Sequence, residues 1–157
     1  MKTDQFSNQS YKANTRGPEQ YKRSNIYYAH SLCFYDTKTE KEDLKFLRSF
    51  KRTKVVNPNG LALGKDMFQY LFLVKQCDAV WYRGNTIGVI FEVLTALTIR
   101  KSVYSLETKD IMGHYEILNF INIFANNEYV NHDLESFKKT FPEHYDNFLS
   151  VLNGDMP

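Results

Sequence analysis

The chain alternates between two patterns of apolar residues. In the first, a short apolar run ends at a polar loop, which is typical of a strand buried on both faces. Runs of this kind predict strands at 26–30, 54–57, 78–82 and 102–106. No internal repeat interrupts the alternation.

In the second pattern, apolar residues return every three or four positions, which is typical of a helix with one buried face. Thr37 and Glu40 have the spacing of a capping box and predict the start of such a helix. Further helices are predicted at 66–76 and 86–100. Strands that alternate with helices of this length predict right-handed crossovers and a parallel sheet.

The C-terminal part, 113–157, is predicted to be helical, with an interruption at Pro142. Four of its aromatic residues recur at helical spacing: Phe120, Phe124, Phe137 and Phe141. They offer more apolar surface than one small sheet is expected to cover. A homodimer or higher homo-oligomer is therefore predicted.

Residues 1–24 carry five basic and two acidic side chains and almost no aliphatic ones. A segment that buries so little apolar surface does not offset the entropy lost on ordering. We therefore expect a mobile polar N-terminal arm over 1–24, followed by a single α/β domain over 25–157.

Composition restricts the compartment and the partners. The two cysteines, Cys33 and Cys77, form no CxxC pair, which argues against a disulfide framework or a zinc site and favours a reducing cytoplasm. No stretch resembles a signal peptide or a membrane-spanning helix. The net charge of +2 gives no reason to expect binding to nucleic acid or to a membrane.

Candidate binding residues lie in the loops that follow the predicted strands. In an open parallel sheet, ligands bind where the carboxyl ends of the strands meet. The loops at this edge are 30–36, 57–64 and 83–88. Within them, His30, Ser31 and Asn59 are candidate ligand contacts, although His30 is equally compatible with a structural role.

The third loop runs directly into a helix, whose free backbone N–H groups and dipole favour an anion. Thr86 adds a hydroxyl there, and Gly88 leaves the backbone amides accessible. A threonine at a helix start is often only a cap, so the sequence leaves both interpretations open.

Glu92 is the only charged residue between Arg83 and Arg100. A carboxylate in so apolar a helix is costly unless it is paired or faces solvent or a pocket. Positions 88, 92, 95, 96 and 99 share one helix face. That face is either a narrow exposed strip or a surface open to a ligand, and spacing alone does not decide.

Four segments resemble the nucleoside 2-deoxyribosyltransferase superfamily. They are 26–31 (IYYAHS), 77–80 (CDAV), 86–92 (TIGVIFE) and 101–104 (KSVY). The resemblance covers about residues 25–107 and is greatest to the branch of nucleotide N-glycosidases that cleave deoxynucleoside 5′-monophosphates. It implies a Rossmann-like or flavodoxin-like open parallel sheet flanked by helices, a nucleotide-binding domain, a homo-oligomer, and no metal or organic cofactor.

The resemblance also implies roles for individual residues. Glu92 matches the nucleophile that accepts the glycosyl group, and Tyr27 matches a tyrosine whose hydroxyl orients that carboxylate. Thr86 stands where the nucleotide-cleaving branch has a phosphate-binding serine and where enzymes of free nucleosides have an aspartate. A 5′-phosphorylated substrate is therefore implied, with Ser31 as a second phosphate ligand.

Two positions depart from the family pattern. Ile90 replaces the second glycine of a Gly-x-Gly before the nucleophile. Tyr70 falls where the family has an aspartate that serves in acid/base work at the leaving base. Asp66, one turn earlier on the same predicted helix face, is the candidate substitute, and Tyr70 becomes a candidate contact to the substrate.

Two functions remain open from the sequence. The first is hydrolysis or transfer at the N-glycosidic bond of a nucleotide, and the second is binding of a nucleotide or nucleotide-derived signal without catalysis. Retention of Glu92 and Tyr27 favours the first, whereas Tyr70 favours the second. An unrelated Rossmann-like regulatory domain is disfavoured, because no Gly-x-Gly-x-x-Gly follows the first strand.

Overall fold

The computed structural model describes residues 24–61 and 66–156. Its strands are β1 (Ser24–His30), β2 (Thr53–Val56), β3 (Ala79–Arg83), β4 (Ser102–Ser105) and β5 (Asp110–Ile111). They form one sheet in the order β2-β1-β3-β4-β5, and the first four strands are parallel. This is the order of flavodoxin-like doubly wound sheets. The predicted arm lies outside the described residues except for Ser24, which begins β1.

Helices connect and cover the strands. They are α1 (Lys38–Arg48), α2 (Met67–Gln76), α3 (Ile87–Thr98), α4 (His114–Ala125), α5 (Val130–Thr140) and α6 (Tyr145–Leu152). The predicted α/β class is therefore confirmed, as are the helical C-terminal part and its interruption at Pro142. Within residues 24–61 and 66–156, none of the helices has the length and apolar character needed to cross a membrane.

The last strand departs from the prediction of a wholly parallel sheet. β5 has two residues and pairs antiparallel with β4, where Tyr104 faces Ile111 and Ser105 faces Asp110. The chain reverses between the two strands through Lys109, whose φ is 56°. A strand this short has no apolar run of its own, so the hydrophobic pattern does not reveal it.

Side chains of the sheet alternate between two hydrophobic clusters. On one face, Ile26, Tyr28 and Trp81 pack with Leu47 of α1. On the other, Tyr27 and Ala29 pack in the larger cluster with residues of α2, α3 and the C-terminal helices. The alternation of β1 thus points Tyr27 towards α3.

The C-terminal phenylalanines belong to this larger cluster. Phe120, Phe124, Phe137 and Phe141 are all buried within the single chain. Phe124 and Phe137 contact the ring of Phe91 on α3, with centroids 5.1 and 6.1 Å away. The expectation that these four residues offer uncovered apolar surface was wrong, because α4 to α6 fold back onto α3.

Candidate functional site

A cavity of about 470 Å³ opens at the carboxyl edge of the sheet. Its walls come from the loop after β1, from Pro58 after β2, and from the first turns of α2 and α3. Six of the predicted site residues line it: His30, Ser31, Tyr70, Thr86, Gly88 and Glu92. These residues come from three separate stretches of sequence and meet because the parallel strands end at one edge.

Glu92 reaches the cavity from the buried side of α3, with only 7% of its surface exposed. Its Oε2 accepts a hydrogen bond from the hydroxyl of Tyr27, which is fully buried. Burial raises the pKa of Glu92 to about 7, although the hydrogen bond from Tyr27 opposes the rise. Burial and the neighbouring carboxylate together raise the pKa of Tyr27, which therefore remains a donor.

The helix face that carries Glu92 is not an exposed strip. Thr95 and Ala96 are buried, and the Thr95 hydroxyl donates to the backbone carbonyl of Phe91, 2.8 Å away. The cavity reaches this face only at its N-terminal end, at Gly88 and Glu92. The face is therefore open to a ligand, as the second interpretation had it, but only along the first turns of α3.

The N-terminus of α3 forms the second polar part of the cavity. Oγ of Ser31 lies 3.1 Å from Oγ1 of Thr86. Thr86 is the N-cap residue, but its hydroxyl makes no capping hydrogen bond to the helix. The hydroxyl pair therefore lies beside the first backbone N–H groups of α3, which have no partner within the helix.

Gly84 permits the approach of these two hydroxyls. Its φ of +94° lies in the region that favours glycine, and a Cβ there would lie 2.3 Å from Oγ of Ser31. The sequence presents Gly84 as an ordinary turn residue after β3. Its part in the site depends on the position of Ser31, which only the folded chain fixes.

His30 lines the cavity with its ring, while both of its nitrogens are engaged elsewhere. Nδ1 lies 3.0 Å from the carbonyl oxygen of Tyr28, and Nε2 lies 2.8 Å from Oε2 of Glu40. The imidazole also stacks on the Tyr28 ring, with centroids 3.6 Å apart and planes 1° apart. Of the two roles left open for His30, this geometry favours the structural one.

Glu40 is the buried partner that sequence reasoning missed. Its carboxylate accepts from His30, from Nδ2 of Asn59 at 2.9 and 3.0 Å, and from the backbone N–H of Asp36 at 3.0 Å. Burial raises the pKa of this carboxyl, but the three donors outweigh burial and lower it overall. The capping box is half formed, because Thr37 Oγ1 accepts from Glu40 N whereas the glutamate side chain turns inward.

Asn59 does not line the cavity. Its amide donates to Glu40 and to Oδ1 of Asp36, 3.2 Å away. The structure gives Asn59 a supporting role, in which its amide holds the Glu40 carboxylate that holds His30, and offers no support for the predicted contact between Asn59 and substrate.

Asp66 does not line the cavity either. It is the N-cap of α2, and its Oδ1 accepts from the backbone N–H of Phe68 at 3.0 Å. The side chain is exposed, whereas Tyr70, one turn along the helix, does line the cavity. The structure therefore gives no support to the hypothesis that Asp66 replaces the missing acid/base aspartate, because its carboxylate caps the helix.

A third buried carboxylate, that of Asp43, fixes the ends of the strands beside the site. Asp43 accepts from the Tyr28 hydroxyl at 2.6 Å and from Arg83 at 2.7 and 2.8 Å through two guanidinium nitrogens. This bidentate pair ties α1 to β3 next to His30. The loops that form the cavity are therefore anchored on the side of α1.

Comparison of the chain with protein-family models, with curated proteins and with solved structures found no match. The resemblance to the nucleoside 2-deoxyribosyltransferase superfamily therefore depends on the short motifs given above.

Proposed function

We propose that this chain cleaves or transfers the N-glycosidic bond of a (deoxy)nucleoside 5′-monophosphate, with Glu92 as the nucleophile. The observation that carries the proposal is a buried carboxylate that lines a cavity and is oriented by a buried tyrosine. A cavity of about 470 Å³ lies within the range of small-molecule sites. A perturbed carboxyl group in such a cavity is typical of catalytic sites.

The N-terminus of α3 supports a phosphorylated substrate. Ser31 and Thr86 present paired hydroxyls beside free helix amides, which is a favourable setting for a phosphate. Glu92 lies six positions after Thr86, which corresponds to about 9 Å along a helix. A phosphate at the helix start and a sugar carbon at Glu92 thus occupy one continuous cavity.

The proposed chemistry is a retaining double displacement. Because Tyr27 occupies Oε2, Oε1 of Glu92 is the oxygen left to attack the anomeric carbon. The carbon–nitrogen bond breaks, the base departs, and the sugar phosphate is held as an ester of Glu92. Water, or a second base in a transfer reaction, then displaces the carboxylate.

Non-catalytic binding of a nucleotide or nucleotide-derived signal is the second candidate function. Among the described residues that line the cavity, Glu92 is the only carboxylate, and Tyr70 occupies the position of the family's acid/base aspartate. The test is to incubate the protein with a panel of nucleoside and deoxynucleoside 5′-monophosphates and to quantify free base. Tight binding by calorimetry without release of base from any substrate would favour the binder and overturn the enzyme.

The phosphate contact has its own test. Thr86→Asp places a negative charge beside the phosphate, so we expect weaker nucleotide binding and a smaller effect on the corresponding nucleoside. Equal losses for both ligands would contradict the assignment.

We also propose a cytoplasmic homo-oligomer. Both cysteines are free thiols, and Cys33 is exposed, which suits a reducing compartment. Tyr115 and Leu118 are exposed one turn apart on α4 and supply apolar surface for a contact between subunits, and Ile111 of β5 is exposed as well. Light scattering after size exclusion that gives the mass of a single chain at micromolar concentration would refute the oligomer.

A further inference from the structure

We propose that the hydroxyl groups of Tyr35 and Tyr70 bind the departing base as neutral hydrogen-bond donors, in place of a carboxylic acid. The inference rests on the proposed function and specifies the substrate class. The favoured substrate carries a base with hydrogen-bond acceptors, and the rate depends steeply on how readily that base leaves.

The buried tyrosines of this chain usually have a carboxylate as partner. Tyr27 donates to Glu92, Tyr28 to Asp43, and Tyr82 to Glu116. Tyr35 and Tyr70 differ, because both line the cavity and neither hydroxyl has a hydrogen-bond partner among the residues that the structure describes. Two half-buried phenols that face a cavity with free O–H groups are available to a ligand.

The position of Tyr35 is set by the buried groups behind it. Its ring lies against the imidazole of His30, with centroids 4.8 Å apart and planes at 36°. His30 is in turn held by the Tyr28 ring and by Glu40. Tyr35 is therefore oriented before a ligand arrives.

The Tyr35 hydroxyl is a donor at neutral pH. Burial, followed by the Glu92 carboxylate and the Tyr70 hydroxyl, raises the pKa of Tyr35 to about 12. Tyr35, Tyr70 and Glu92 line the same cavity. A phenol that keeps its proton stabilises negative charge on a leaving group through a hydrogen bond.

The other neutral polar groups at the cavity already have hydrogen-bond partners in the protein. Ser31 and Thr86 pair with each other at the helix start, and both nitrogens of His30 are engaged. The remaining lining side chains that the structure describes are apolar. Among the described residues, only the two tyrosines are left to contact a base beside Glu92.

The displacement conserves atoms and charge. Oε1 of Glu92 forms a bond to the anomeric carbon, and the carbon–nitrogen bond breaks with its electron pair on the base. The tyrosine hydroxyls donate hydrogen bonds to acceptors of that base and remain protonated. Water supplies the proton that the base takes up, and a second water later displaces Glu92 and returns a proton to solvent.

The experiment compares two leaving groups on one sugar phosphate. The substrates are the deoxynucleoside 5′-monophosphates of guanine and of 7-methylguanine, because the methylated base departs as a neutral molecule and needs less stabilisation. Tyr35→Phe and Tyr70→Phe are measured on both, with spontaneous loss of the methylated base subtracted. Tyr129→Phe, at a residue that is 63% exposed and outside the cavity, is the matched control.

We expect each of the two variants to lose roughly tenfold in rate with the guanine nucleotide, the scale of one hydrogen bond. The loss should be much smaller with the 7-methylguanine nucleotide. Equal losses on both substrates would indicate a structural role and overturn the proposal, as would no loss on either. If wild type releases both bases, Glu92→Gln releases neither and the tyrosine variants are unaffected, the proposed function stands and this inference fails. If wild type releases neither of these bases, nor any base from the panel of nucleotides described above, the proposed function fails as well.

Discussion

The Tyr27 hydroxyl on β1 donates a hydrogen bond to Glu92 on α3, although 65 positions separate the two residues in the chain. Tyr27 is fully buried, so water does not compete for its hydroxyl. The contact fixes one oxygen of Glu92 and opposes the rise in its pKa that burial causes. The orientation and the charge of the proposed nucleophile therefore both depend on the packing of β1 against α3.

Glu92→Gln is expected to reduce release of free base by at least about 1,000-fold, because an amide is a far poorer nucleophile and does not stabilise positive charge at the anomeric carbon. The amide has nearly the same shape, so circular dichroism should remain unchanged. Glu128→Gln, at an exposed position, is the matched control and should retain full activity. Retention of base release by Glu92→Gln would remove it as the nucleophile.

Activity should rise with pH through about 7, because the ionised form of Glu92 is the nucleophile and burial raises its pKa to about that value. Tyr27→Phe removes the hydrogen bond that lowers this pKa, so the midpoint of the kcat/KM profile should move to higher pH. The measurement is kcat/KM between pH 5 and 9 for both proteins. An unshifted midpoint in the variant would contradict the role of Tyr27.

The same carboxyl group should make the stability of the fold fall with rising pH, whereas activity rises. The folded-state pKa of Glu92 lies above the ordinary value of 4.5, so the native state binds the extra proton between pH 4.5 and 7. The stabilisation that comes from this proton is complete below pH 4.5 and is lost as pH rises through about 7. The loss lowers the free energy of unfolding by roughly 3 kcal/mol. Urea unfolding should therefore show Glu92→Gln gaining stability over wild type between pH 5 and 8, and an advantage that does not grow with pH would contradict this.

Gly84→Ala should weaken nucleotide binding, because the added Cβ meets Oγ of Ser31 and separates it from Thr86. Gly60→Ala is the matched control, since Gly60 has the same φ of +94° but no atom within 4 Å of the added carbon. Both variants incur backbone strain, so the difference between them in calorimetric titration with a nucleotide isolates the steric effect. Equal affinities in the two variants would show that the hydroxyl pair does not bind the phosphate.

Asp66→Asn is expected to leave release of base unchanged within about twofold, because an asparagine also caps a helix and the side chain lies outside the cavity. Asp66→Ala should lose about 1 kcal/mol of unfolding free energy through the lost cap. A large loss of rate in Asp66→Asn, measured beside its thermal stability, would restore Asp66 as the acid/base group.

The fold was predictable because each buried strand has a continuous apolar run, and each covering helix has apolar residues at every third or fourth position. Helix starts at Thr37 and Thr86 follow from local chemistry and are found where the sequence placed them. The antiparallel β5 was not predictable, since two residues carry no period. Whether the C-terminal phenylalanines are buried depends on which helix they pack against. The spacing of residues within one helix does not reveal this.

The candidate site was predictable where a residue is out of place in its local pattern. Glu92 stands out because a charged side chain in an apolar helix is costly unless it is paired or faces a pocket or solvent. Glu40 does not, because the capping-box spacing explains it fully, and its pairing with His30 exists only in the folded chain. Tyr35 gave no signal either, since nothing in the sequence distinguishes a tyrosine with a free hydroxyl from one with a partner.

Nine of the twelve residues of α3 are buried, from Val89 to Ala96 together with Thr98. Backbone amides in so enclosed a helix exchange with solvent deuterium only through openings close to global unfolding. The amides of residues 87–89 at its start lack helical partners and should exchange early, until a bound phosphate protects them. Hydrogen exchange along this one helix would thus separate the rigid support of Glu92 from the part that a ligand orders, without any catalytic assay.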